Sequence, residues 1–157
     1  KNKEYLNPFE FLELLPDTKA PQITEFHLLQ DGEKISGNTV SSGKYSISAQ
    51  IDDLILSDVF VVPPNKVTVS VDGQAPFIVW KFDSLPGGDS NEDFVNQFYV
   101  PEIACGDYNC RKPVIDLGFR KTPTQVFPQT RGSHTLKLTV SDYNGNATLR
   151  SFEWTVE

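Results

Sequence analysis

Long apolar runs are missing from this chain. Runs of four, such as Val59-Phe60-Val61-Val62, are the longest and fall far below the ~20 residues that a spanning helix needs, and no basic-then-apolar leader opens the sequence. A soluble chain without a transmembrane segment is therefore expected. Basic residues are in deficit as well: 14 Lys+Arg stand against 21 Asp+Glu, for a net charge of −7. That balance argues against a nucleic-acid groove, whose surface must neutralise phosphates with clustered Lys and Arg. Histidine is scarce, with only His27 and His134. Cysteine occurs twice, as Cys105 and Cys110 around Gly106-Asp107-Tyr108-Asn109. A zinc site on that pair would lack two ligands, because both histidines lie far off in sequence. The spacing suits a local disulfide that holds one loop in shape, with two free thiols as the alternative. An oxidised pair would mean an exported protein.

At 157 residues the chain is one domain by length and long enough to bury a core unaided. The acidic excess sits in residues 1–105, whereas 106–157 is mildly basic. An ordinary solvated surface explains this, and a contact face for anionic envelope polymers is the alternative. Asn7-Pro8-Phe9-Glu10-Phe11-Leu12-Glu13-Leu14-Leu15 predicts a short helix, with Asn7 as N-cap, Pro8 at the first helical position and acids toward the positive end of the dipole. Pro16 ends it, and Pro16-Asp17-Thr18-Lys19-Ala20-Pro21 reads as a stiff connector. Residues 1–21 thus form helix and linker, and 22–157 a β domain.

Tyr45 to Asp52 alternates apolar and polar residues, as do Val67 to Val71 and His134 to Val140, the pattern of strands with one face in a core. Asp72-Gly73 followed by Phe77 to Phe82 predicts a hairpin, and Asp142-Tyr143-Asn144-Gly145-Asn146 another, whose return strand places Phe152, Trp154 and Val156 on one face. Trp80 and Trp154 read as core residues. The expected fold is all-β, an immunoglobulin-like antiparallel β-sandwich of about seven or eight strands, with a short N-terminal helix and long decorated loops. Ser84-Leu85-Pro86-Gly87-Gly88-Asp89-Ser90-Asn91 reads as loop, and Pro113, Pro123 and Pro128 interrupt strand formation beyond it. This long excursion is a decorated binding edge, a contact with another domain, or a structural insertion.

Residues that could carry chemistry are few. Gly87-Gly88 and Gly43-Lys44-Tyr45 both lack the rest of a phosphate cradle. His27 and His134 fall on predicted strands, where structural roles outweigh base catalysis. Asp52 and Asp53, as strand neighbours, point to opposite faces. Asp52, Asp53 and Asp58 nevertheless gather at one strand end, and Asp142, Asn144 and Asn146 at another, with the hard oxygen donors that calcium prefers. The second group reads first as a hairpin turn. Asn146-Ala147-Thr148 is a glycan sequon only in a eukaryotic secretory route. Tyr99, Tyr108 and Tyr143, with Arg111 and Lys112 in the basic part, are the candidate contact surface.

Asn7-Pro8-Phe9-Glu10-Phe11-Leu12, continuing through Leu15-Pro16-Asp17-Thr18-Lys19-Ala20-Pro21-Gln22-Ile23, resembles the stretch that follows the catalytic domain in bacterial lysostaphin-type (LytM) zinc endopeptidases. Gly132-Ser133-His134-Thr135-Leu136 and Asp142-Tyr143-Asn144-Gly145-Asn146 look like the closing hairpin of Ig-like modules in multidomain members. The middle of the chain carries no such likeness. The family's zinc ligands include a His-x-His pair, which this chain lacks. The resemblance therefore implies a non-catalytic accessory module of a secreted or periplasmic cell-wall metallopeptidase, with no cofactor in this chain and zinc only in a peptidase domain preceding it. Its partners would be that domain or an envelope component such as peptidoglycan, and its location periplasmic, outer-membrane-associated or extracellular. A free-standing carbohydrate- or protein-binding adhesin is the alternative.

Overall fold

The computed structural model describes residues 4–6, 11, 13, 16–55, 60–82, 84–86, 114–118 and 126–157. All twelve elements among them are strands, so the chain is all-β. Six are long: β2 (Gln22–Gln30), β5 (Tyr45–Ile55), β7 (Lys66–Val71), β8 (Phe77–Lys81), β11 (Gly132–Ser141) and β12 (Ala147–Val156). Six have only two or three residues: β1 (Glu4–Leu6), β3 (Glu33–Lys34), β4 (Thr39–Val40), β6 (Phe60–Val62), β9 (Ser84–Pro86) and β10 (Val114–Asp116). The long strands follow the alternation in the sequence. The short ones raise the number above the expected seven or eight, because two or three residues are too few to show a period.

Two five-stranded sheets share the core. In one, the order is β10-β5-β2-β3, with β6 also on β5; in the other it is β4-β12-β11-β7-β8. Pairing is antiparallel except for β4 on β12. The expected β7–β8 and β11–β12 hairpins both form. At the first, Asp72 (φ 49°) and Gly73 (φ 72°) both take left-handed backbone while Gln74 N donates to Val71 O at 2.9 Å, a tight turn at the start of the connection to Phe77. Asp31-Gly32 repeats the device between β2 and β3 (φ 52° and 89°).

The inward rows interdigitate in one cluster: Tyr45, Ile47, Ala49 and Ile51 from β5, Leu136, Leu138 and Val140 from β11, with Val67, Val69, Trp80 and Trp154. Both tryptophans are buried, as expected, and both indoles are satisfied. Trp80 Nε1 donates to Pro64 O at 3.1 Å and Trp154 Nε1 to Tyr45 Oη at 3.3 Å. A bulge in β2 between Ile23 and Glu25 releases carbonyls from the ladder. Arg150 Nη1 of the opposite sheet collects two of them, Ile23 O at 2.6 Å and Thr24 O at 2.8 Å.

Three expectations need correction. Asn7–Leu15 predicts a helix, and neither of its described residues is helical. Of that span, Phe11 lies in a turn and Glu13 in irregular backbone, the rest falls outside the described residues, and Glu4–Leu6 just before it is a strand. A nine-residue helix needs an apolar face packed on something to offset its nucleation cost, and Phe11 is 69% exposed. Ser84–Pro86, read as loop, pairs antiparallel with Glu4–Leu6. A proline is tolerated there because this small sheet is all edge. Finally, Val114–Asp116 adds to β5 despite the neighbouring prolines, burying Val114 and Ile115.

Candidate functional site

The two central strands end in the same way. Along β5, Tyr45, Ile47, Ala49 and Ile51 face the core, and the next residue on that face is Asp53. Along β11, Leu136, Leu138 and Val140 face the core, and the next is Asp142. Both acids are buried, Asp53 at 1% exposure and Asp142 at 3%. The connector before β2 delivers a third, Asp17. Carboxylate oxygens of Asp17, Asp53 and Asp142 all lie within 4.8 Å of one another.

Each acid is held differently. Asp142 is fixed by its own turn: Asn146 N donates to Oδ1 at 2.8 Å and Asn146 Nδ2 to Oδ2 at 2.7 Å, and Asp142 N donates to Asn146 O at 3.1 Å. The turn therefore forms as the sequence predicts, and it also sets the direction of a carboxylate. Asp17 is fixed through its backbone, whose carbonyl accepts from Asn144 Nδ2 at 3.3 Å and Asn146 Nδ2 at 3.1 Å. Its Oδ1 takes Lys19 N at 3.0 Å. Asp53 has no such support, because neither Oδ1 nor Oδ2 has a hydrogen-bond partner. Burial, reinforced by repulsion from Asp142 and Asp17, pushes its pKa up to about 7. A buried carboxylate surrounded by like charge is costly unless a cation or a proton joins it.

Of the acids singled out in sequence, Asp52 points away from this group and accepts from Gln50 Nε2 at 3.2 Å. Asp58 lies outside the described residues. Sequence reasoning missed Asp17 as a member. Tyr143 sits in the β11–β12 turn, half-buried, with its ring edge-on to Phe82 at 6.2 Å. Cys105, Cys110, Tyr99, Tyr108, Arg111 and Lys112 all lie outside the described residues.

The histidines resolve into distinct settings. His134 Nδ1 lies 2.8 Å from Asp72 Oδ2 and Nε2 lies 2.8 Å from Thr130 O. Both partners accept, so the protonated ring satisfies both contacts and in that form has no lone pair to act as a base. Burial pulls its pKa down, but the Thr130 carbonyl and the Asp72 carboxylate outweigh it and the net shift is upward. The pair therefore contributes stability that is complete below the unfolded pKa and lost as pH rises through the folded one. His27 is buried in β2 with Nε2 3.6 Å from Glu25 Oε2. Beside it, Phe26 and Phe152 stack at 4.9 Å and line an open concavity with Lys34, Ile35 and Asn38.

Of the groups that could hold a metal, the three aspartates alone combine clustering, burial and an unpartnered ligand among the described residues. No family model, curated protein or solved structure matches the chain, so its function must be argued from these residues and the fold that places them.

Proposed function

We propose that this chain is a non-catalytic immunoglobulin-like accessory module of an exported bacterial cell-wall metallopeptidase, working by contact. The observation that carries the reading is the seating of the connector. The Asp17 carbonyl is held by Asn144 and Asn146 of the β11–β12 turn, and Pro16 and Pro21 stiffen the chain on both sides. A neighbour joined through such a segment is held at a set angle rather than tethered loosely. This is what a module needs if it packs on a peptidase domain or shapes access to its groove. Supporting it are the two-sheet all-β core and the likeness of Asn7–Ile23 to the segment that follows the catalytic domain in lysostaphin-type enzymes.

Sequencing the reading frame upstream of Lys1 tests this. The expected result is a peptidase domain carrying the family's upstream His and Asp and its downstream His-x-His. An upstream region without that zinc motif would sink the proposal and favour the adhesin reading.

A further inference from the structure

We propose that Asp17, Asp53 and Asp142 together bind one Ca²⁺ ion, which locks the connector onto both sheets. The inference goes beyond the accessory-module reading and does not depend on it.

Three elements that are remote in sequence each bring one carboxylate to the same end of the core, and their oxygens lie within 4.8 Å of one another. Calcium binds oxygen at about 2.3–2.6 Å, so opposite ligands in its shell are about 4.6–5.2 Å apart. The three groups therefore already fit within one calcium shell. Magnesium, at about 2.0–2.1 Å, needs a smaller and strictly octahedral arrangement. Donors that are all oxygen favour a hard cation over zinc or copper.

Clustered acids alone would not make a site, because exposed carboxylates gather on many surfaces without an ion. The second observation is Asp53. It is 1% exposed, both its oxygens lack a hydrogen-bond partner, and it faces the other two carboxylates. It occupies a position where β5 has placed Ile47, Ala49 and Ile51, so an apolar residue would suit the core better if packing were its only role. A cation supplies the missing partner and turns the repulsion among the three acids into shared attraction. The two readings of Asp142 to Asn146, hairpin turn and calcium ligand, are then compatible, since the turn's bonds from Asn146 orient the Asp142 carboxylate.

Binding would tie Asp17 in the connector to Asp53 in one sheet and Asp142 in the other. The angle at which a preceding segment leaves the domain would become calcium-dependent. With three protein carboxylates and the rest of the shell filled by water, an affinity of about 10⁻⁴–10⁻³ M, that of extracellular modules, is expected.

The test is thermal unfolding of the 157-residue chain in chelator, in about 5 mM Ca²⁺ and in about 5 mM Mg²⁺. Calcium is expected to raise the midpoint by roughly 2–9 °C, with a much smaller shift from magnesium. Asp53→Asn should fold, melting in chelator no lower than the parent, yet lose the calcium shift. Asp52→Asn, altered on the opposite face of the same strand, should keep it. No shift in the parent, a full shift in Asp53→Asn, or loss of the shift in Asp52→Asn would each overturn the assignment. None of these results bears on whether a peptidase domain lies upstream.

Discussion

Replacing Trp154 with alanine is expected to lower the unfolding free energy by about 3–5 kcal/mol, the range for a large aromatic removed from a core that cannot fully collapse. Trp154 is 1% exposed and is surrounded by rings: Phe127 edge-on at 6.4 Å, Phe152 stacked at 6.3 Å and His134 tilted at 5.4 Å. Its indole N–H also donates to Tyr45 Oη, and that hydroxyl in turn donates to Pro128 O. The indole thus joins β12 to β5 across the two sheets. Leu149, five residues away on the same strand, is 63% exposed, and its alanine variant should stay within about 0.5 kcal/mol of the parent. Urea unfolding of both variants decides the matter, with the denaturant slope unchanged so that the midpoint alone reports stability. A Trp154→Ala loss below about 1 kcal/mol would mean that the two sheets do not share the core described.

The second large effect has the opposite sign. In metal-free protein at pH 8, Asp53→Asn is expected to be more stable than the parent by about 1–3 kcal/mol. A carboxyl held at about 7 against an ordinary 3.8 carries a penalty on the order of 4 kcal/mol when ionised, at about 1.4 kcal/mol per unit. The buried amide that replaces it gives back about 1–3 kcal/mol by lacking partners of its own. The direction in pH follows. Between 3.8 and about 7 the folded state binds a proton that the unfolded state has released, so the parent loses stability as pH rises through that window. The advantage of the variant should therefore shrink toward zero as pH is lowered to 5. Urea unfolding in chelator at the two pH values measures it, and a variant less stable than the parent at pH 8 would contradict the burial of an unpaired charge at position 53. Saturating calcium should narrow or reverse the difference, because the ion stabilises only the parent.

Much of the scaffold was legible because its long strands are half-buried. Wherever one face meets a core and the other meets water, the sequence must alternate, and β5, β7 and β11 do. Asp72-Gly73 announced its turn because left-handed backbone at two successive positions selects such residues. Asp31-Gly32 carries the same signal and could have revealed β2–β3. The short strands were hidden for a physical reason. β10 and the β1–β9 pair are fixed by partners distant in sequence, and three residues hold no period. Asn7–Leu15 reads as a helix from its end signals, the Asn7 cap, Pro8 and the acids of the first turn, but such signals mark where a helix would start and do not supply the packing that holds a short one.

The site was legible in pieces. Asp53 and Asp142 stood out as acids at strand ends, and extending each alternation by one step would have placed both on the inward face, after Ile51 and after Val140. That the two rows end together was not legible, because local sequence does not encode how one sheet lies over the other. Asp17 read as connector because nothing near it shows that Asn144 and Asn146, far along the chain, hold its carbonyl.

The most direct measurement is a crystal structure of the chain grown with calcium, and again with terbium for its anomalous signal. A single strong peak between Asp17, Asp53 and Asp142, with oxygens of all three at about 2.3–2.6 Å from the calcium, is the predicted result. Strong density elsewhere, or a structure in saturating calcium in which Asp53 makes protein hydrogen bonds and binds no ion, would contradict it.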